Sequence, residues 1–173
     1  MSLESGTNIR RGLSLDIKSQ RLIALVDTNA INDLADGKLN LSEFSAFCPF
    51  ITTIQYDELA QTPDESRRRL LLDVMKTKRL DLIHTGVFIS GYSRLKLSKM
   101  GMGAYYGLVL QGLEACQTPS VVRHKRKSNI HDAILAETAI VEGMMLVSND
   151  ADLRRLVIKF GGHAIDLRSA NKD

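Results

Sequence analysis

The sequence predicts an α/β fold with a mainly parallel central sheet, and three observations predict it. Short apolar runs, among them Leu22-Ile-Ala-Leu-Val26 and Met144-Met-Leu-Val147, are continuous rather than alternating, as strands buried on both faces are. Stretches with helical spacing and cap residues separate these runs, and strands alternating with helices call for crossover connections. The 173 residues, 44% hydrophobic and 25% charged, have ordinary globular composition and suffice for one domain with a sizeable core.

The elements follow in order. Residues 1–20 are polar, contain Gly and Ser, and read as a partly disordered arm before a domain spanning 21–173. Leu22 to Val26 is the first strand, followed by Asp27-Thr28-Asn29, a helix around Ala30 to Ala35 and a turn at Asp36-Gly37. A second helical stretch covers about Leu41 to Phe47 and is stopped by Pro49. Phe50 to Thr53 is the second strand, with Thr52 or Thr53 capping a helix over Ile54 to Ala60. Thr62-Pro63-Asp64-Glu65 has the pattern of a capping box with proline at the first helical position, opening a helix to about Lys78. Leu80 to His84 is the third strand. Ser90 to Cys116 reads as mostly helical although studded with glycines. Asn129 to Glu142 is the best-patterned helix and ends at Gly143. Met144 to Val147, Asp150 to Phe160 and Ala164 to Leu167 complete the chain as strand, helix, strand.

Several function classes are excluded. The longest apolar run near the start is Leu22 to Val26, far short of the ~18 residues of a membrane span. The first twenty residues carry Glu4 and Asp16 and lack a continuous apolar stretch, so a targeting peptide is not expected. Cys48 and Cys116 form no CxxC, which suits a reducing interior and a cytoplasmic protein and offers no thiolate zinc site. His84, His124, His131 and His163 show no zinc-binding spacing. There is no GxSxG elbow, no GxxxxGK[ST] loop and no complete dinucleotide-binding glycine pattern. The net charge is only +3, but Arg123, Lys125, Arg126 and Lys127 fall within five residues. Such a run is usually a solvated loop; its sharper reading is an edge that binds a polyanion.

In open parallel sheets, sites lie beyond the carboxyl ends of the strands. Asp27 and Asn29 follow the first strand. Asp57 and Glu58 lie one turn into the helix after the second, and Ser148, Asn149, Asp150 and Asp152 follow the fourth; Asp132 lies on the helix before it. Singly, each has an ordinary explanation: Asp27 as a helix cap, Asp57 and Glu58 as solvated acids, Asp132 as a helix-start acid, Asp150 and Asp152 as a helix first turn capped by Asn149. Jointly, carboxylates at one sheet edge repel one another, and a hard divalent cation, Mg²⁺ or Mn²⁺, resolves that repulsion.

Leu25-Val-Asp-Thr-Asn29, Asp57-Glu58-Leu59, His131-Asp-Ala-Ile-Leu-Ala136 and Leu146-Val-Ser-Asn-Asp-Ala-Asp-Leu153 resemble the four acidic motifs of PIN-domain ribonucleases. The spacings, 31, 74 and 18 residues between Asp27, Glu58, Asp132 and Asp150, suit that family, and the resemblance covers about Leu22 to Leu167. It implies a three-layer α/β/α sandwich and cleavage of single-stranded RNA with one or two Mg²⁺ or Mn²⁺ ions. By resemblance Asp27, Glu58, Asp132 and Asp150 are the catalytic, metal-holding acids, with Asp57 the fallback for Glu58. Asp152 joins as a metal ligand, and Asn29 and Ser148 are supporting groups. Many bacterial members are VapC-like toxins of toxin–antitoxin pairs, which implies an antitoxin that covers the groove and a nuclease that dimerises. The chain departs from compact toxins in placing its first acid 26 residues in, and in its glycine-studded middle with Tyr92, Tyr105 and Tyr106.

The leading expectation is therefore a metal-dependent endoribonuclease in which metal-activated water attacks phosphorus in line, leaving a 5′-phosphate and a 3′-hydroxyl. Arg123, Lys125, Arg126 and Lys127 would hold the strand, and Tyr105 or Tyr106 would stack bases or fill the core. The alternative is a catalytically silent module that binds RNA or protein in the same groove. A phosphoacceptor domain and a 5′-nuclease of DNA rank below these.

Overall fold

The computed structural model describes residues 12–16, 20–77, 80–85, 89–90 and 103–168. Its strands are β1 (Leu15–Asp16), β2 (Arg21–Val26), β3 (Phe47–Thr52), β4 (Asp81–Ile83), β5 (Met145–Val147) and β6 (His163–Ile165). Its helices are α1 (Thr28–Ala35), α2 (Thr53–Ala60), α3 (Glu65–Thr77), α4 (Tyr106–Ala115), α5 (Pro119–Glu142) and α6 (Ala151–Lys159). The sheet order is β4-β3-β2-β5-β6, and every pairing along that path is parallel. The expected α/β class with a mainly parallel sheet is the class observed.

Alternation along β2 explains the layers. Ala24 and Val26 face one cluster with Ile31, Leu71, Val74 and Met75, from α1 and α3. Leu25 faces the other, with Val109, Ala136, Ile140 and Leu156 from α4, α5 and α6. Helices thus cover both faces, and the continuous apolar run of β2 is needed because neither face meets water. Ala136 and Ala139, fully buried, allow α5 to lie close against the sheet.

Local chemistry sets the boundaries, and several expectations need correction. Pro49 does not stop a helix before the strand. β3 already runs from Phe47, and the preceding helical stretch is a single 3-10 turn over Leu41–Phe44. Pro49 is tolerated because β4 pairs with β3 only from Phe50, so at Pro49 that side of β3 is an edge. Thr52 caps α2 in a reciprocal capping box with Gln55. α3 starts at Glu65, with Asp64 accepting from the Arg67 amide at 2.6 Å, so Asp64 rather than Thr62 caps it.

α5 begins ten residues earlier than expected, at Pro119, so the basic run is helical rather than loop. It ends at Gly143 with φ +65, where an added Cβ would also meet the Gly12 carbonyl at 2.9 Å. Part of the arm is ordered. β1 pairs antiparallel with β2, while the Ser14 amide and hydroxyl donate to the carbonyls of Gly143 and Glu142 at the end of α5. Of the glycine-studded middle, α4 is described; residues 91–102, with Gly91, Tyr92 and Gly101, lie outside the described residues, as do 1–11 and 169–173. None of the described helices is long and apolar enough to cross a membrane.

Candidate active site

The chain leaves β2 toward β3 on one side and returns through β5 on the other. The carboxyl ends of β2 and β5 therefore form the switch point of the sheet, where a crevice opens. Asp27 follows β2 directly and Ser148 follows β5. The Asp27 amide donates to the Val147 carbonyl at 2.9 Å, and the Ser148 amide to the Ile165 carbonyl at 3.1 Å. Register between the two strands thus sets the spacing of the first and fourth acidic motifs.

Asp27 is only 3% exposed. It is the N-cap residue of α1, its carbonyl accepting from the Ile31 amide, but its side chain makes no capping hydrogen bond. Its Oδ2 instead accepts from the Ser148 hydroxyl at 2.7 Å and, more weakly, from Asn29 Nδ2 at 3.4 Å. Burial pushes its carboxyl above the ordinary value. Ser148 and the nearby amides of Asn29 and Thr28 partly offset that, and the charge of Asp150 adds to it.

Ser148 also acts as an acceptor, its Oγ taking a hydrogen bond from the Asp150 amide at 3.0 Å. One hydroxyl thereby ties the first acid to the backbone of the fourth. Asp150 itself, not Asn149, caps α6, accepting from the Leu153 amide at 2.9 Å, so it is a helix-start residue as well as a member of the cluster.

Asp132 lies on α5, thirteen residues past Pro119 rather than at a helix start, so the dipole explanation does not apply to it. Burial pushes its carboxyl up to about 8, and the charges of Asp27, Asp150 and Glu58 all add to the shift; the Ser128 hydroxyl, 3.5 Å away, eases it slightly. Three acids from three other elements thus act on this fourth one. Glu58 is the exposed member of the group. Its Oε2 accepts from the Thr28 hydroxyl at 3.2 Å and stands 4.0 Å from His131 Nδ1. Burial holds His131 below the ordinary histidine range, against the opposing pull of Glu58. Asp152, half-exposed in the first turn of α6, pairs with Arg155 at 2.8 Å.

No three His, Cys, Asp or Glu side chains among the described residues are arranged as a ready-made metal cage. The acids interact through space without closing on a common point. An all-oxygen set of this kind fits a hydrated hard cation that keeps several waters, Mg²⁺ or Mn²⁺, and does not fit zinc.

The basic residues occupy a projecting part of α5. From Pro119 to Ser128 every residue except Val122 is exposed, a length of about 15 Å at 1.5 Å per residue. The reciprocal amide pair of Gln117 and Asn129, at 3.0 and 3.2 Å, anchors the helix where it meets the domain. Helical spacing separates the four cations. Lys125, Ser128 and Asp132 fall on one stripe, Lys127 and His131 on the next, while Arg123 and Arg126 lie off the Asp132 stripe. Tyr105 and Tyr106 are partly buried against the core, Tyr105 with its ring 6.3 Å from that of Phe160. Both contribute to the core that α4 and α5 cover.

Gln55 was not singled out in the sequence and matters here. It is buried, donates from Nε2 to the Val26 carbonyl at 2.6 Å and accepts from the Thr52 amide at 2.9 Å, bracing the end of β2 just before Asp27. Only its place three residues after Thr52 signalled it.

No known protein-family profile matches the chain. No curated protein sequence matches it either. Among solved structures, the chain is similar to the crystal structure of FitAcB from Neisseria gonorrhoeae, at 11% identity and a TM-score of 0.42, over 83% of this chain and 97% of that one.

Proposed function

We propose that the chain is a metal-dependent endoribonuclease acting on single-stranded RNA, with Asp27, Glu58, Asp132 and Asp150 as its acidic centre. The arrangement that carries this reading is Asp27 tied through the Ser148 hydroxyl to the Asp150 amide, with Glu58 beside His131 and Asp132 close enough to all three acids to feel their charges. Four carboxylates crowded at a switch point oppose folding unless something of opposite charge uses them.

The residues divide the work by environment. Asp27 and Asp132, mostly withdrawn from water, give a bound cation strong, weakly screened attraction. Glu58, exposed, faces the solvent side where a substrate would enter. Asp152 serves as an outlying acid whose charge Arg155 already balances. His131, kept neutral by burial, adds no fixed positive charge to compete with a metal. Asn29 and Ser148 orient Asp27 by hydrogen bonding. When bound, Mg²⁺ or Mn²⁺ would activate a water and neutralise charge developing on the phosphate. Lys125 and Lys127, with Arg123 and Arg126 farther round the helix, supply a basic rail along α5 that ends beside Asp132, suited to a phosphate backbone.

The motif resemblance extends the proposal to a toxin with an antitoxin partner and a homodimeric form. The direct test is to incubate purified protein with labelled single-stranded RNA in EDTA, Mg²⁺ and Mn²⁺, beside Asp27→Asn and Asp132→Asn. Metal-dependent cleavage lost in both variants supports the proposal. Cleavage unchanged in both variants overturns the site. If RNA is bound but uncut with either metal, the same groove is a silent binding module.

A further inference from the structure

The Ser148–Asn149–Asp150 turn is gripped from outside the acidic cluster by two arginines, one on the helix that follows it and one in the turn after β6. Arg154, on α6, donates to the Ser148 carbonyl at 2.8 Å and pairs with Asp166 at 3.5 Å. Arg168, in the turn after β6, donates to the Asn149 carbonyl at 3.3 Å, pairs with Asp166 at 3.1 Å and stands 3.6 Å from Asp33 of α1. Asp33 is buried and accepts from Asn149 Nδ2 at 2.8 Å; Lys38, shared with Asp36, approaches it at 3.7 Å. Both carbonyls flanking Asn149, and its side chain, are therefore held by charged groups, and this is the turn that carries Ser148 Oγ and the Asp150 carboxylate.

We propose that Arg154 and Arg168, with Asp33 and Asp166, form a clamp that positions Asp150 for cation binding, with Arg168 as its key positioning residue. The choice of partners matters as much as the geometry. Two guanidinium groups beside an acidic centre would ordinarily compete with a metal for its carboxylates. Here the two guanidinium groups engage Asp33 and Asp166, with Lys38 also on Asp33, so the clamp orders the turn through carboxylates other than Asp27, Asp132 and Asp150. Arg168 suits this role because a planar guanidinium can bridge three acceptors from different elements, which an ammonium cannot. Its ties also couple the C-terminal turn to α1, so the position of Asp150 depends on two elements that contribute no acid to the cluster.

The inference rests on the proposed metal-dependent function, and its test separates the two. Mn²⁺ alone is titrated into the full-length protein by calorimetry, for wild type, Arg168→Met, Arg168→Lys and Asp150→Asn, with folding checked by circular dichroism. In parallel, amide hydrogen exchange of residues 149–153 is followed in EDTA. The clamp predicts faster exchange of that segment in Arg168→Met, Mn²⁺ affinity lower by about tenfold, the usual effect of losing a group that orients a ligand, and an intermediate affinity for Arg168→Lys. Should Arg168→Met not fold, the Arg168→Lys comparison carries the test. Unchanged exchange and affinity in the Arg168 variants, with binding still lost in Asp150→Asn, overturns the clamp and leaves the metal centre intact. Absence of Mn²⁺ binding by the wild type overturns the metal reading and the role of the clamp with it.

Discussion

Asp132 shows most directly how a single residue can oppose the fold that contains it. Its carboxyl titrates at about 8 in the folded chain against an ordinary 3.8. The folded state therefore keeps a proton that the unfolded chain gives up across that interval, and stability contributed by the neutral form is lost as pH rises from about 4 to about 8. In EDTA, Asp132→Asn is expected to melt above the wild type at pH 8, by about 2–4 °C for each kcal/mol of repulsion relieved, with the advantage gone near pH 4. Melting curves across that range check it; a variant less stable than wild type at pH 8 would mean that the carboxylate has a partner that compensates it. Gln55 is the opposite case, a buried polar group serving only structure. Gln55→Leu strands the Val26 carbonyl and the Thr52 amide, and a loss of about 1–3 kcal/mol in urea denaturation is expected, the usual cost of leaving such groups unpaired.

At the scale of elements, α5 carries the most consequence. Its first part projects with the cations, its middle presents Asp132, and its last turns pack Ala136 and Ala139 against the sheet. The two stripes near the acids distinguish Lys125 and Lys127 from Arg123 and Arg126. Replacing Lys125 and Lys127 together by alanine should weaken binding of single-stranded RNA and flatten its salt dependence, by up to about 0.7 in log–log slope for each phosphate no longer neutralised. The melting temperature should not move, since both side chains are exposed. Filter binding at several salt concentrations reads this directly, and equal effects from the Arg123 and Arg126 pair would refute the stripe assignment. The end of the same helix offers a stability test. Gly143→Ala forces a Cβ into a left-handed backbone and against the Gly12 carbonyl, so a cost of at least about 1 kcal/mol is expected in the urea midpoint.

At the scale of the molecule, acids after β2, on α2 and α5 and in the β5–α6 turn come to one end of the sheet because the connections reverse direction between β2 and β5. Any cation held there binds the folded state alone, so divalent ions should stabilise the whole domain. At a hundredfold excess of Mn²⁺ over its dissociation constant the gain is about 2.7 kcal/mol. Thermal melts with and without Mn²⁺ should show it in the wild type and not in Asp27→Asn. A wild-type melting point indifferent to Mn²⁺ would argue against a metal centre.

What the sequence determined by itself was the order and type of the main elements, because apolar runs and cap residues are local signals. Leu22 to Val26, the Thr52 cap, the Gly143 stop and the alternation of strands with helices could all be read without a fold. The motif order also nominated Asp27, Glu58, Asp132 and Asp150. Tertiary structure alone decided what surrounds Asp27 and Asp132. Asp27 turns its carboxylate to Ser148, 121 residues away, and Asp132 feels three charges from distant elements. Tertiary pairing also decided where β3 begins, since Pro49 reads as a breaker until the neighbouring strand is known to start one residue later. Gln55, Asp33, Arg154 and Arg168 had no local signature because their partners lie 29 to 135 residues away or belong to a turn whose shape they themselves maintain. Hydrophobic periodicity is written in neighbouring residues. Electrostatic environment is a sum over groups that only the folded chain brings within a few ångströms of one another.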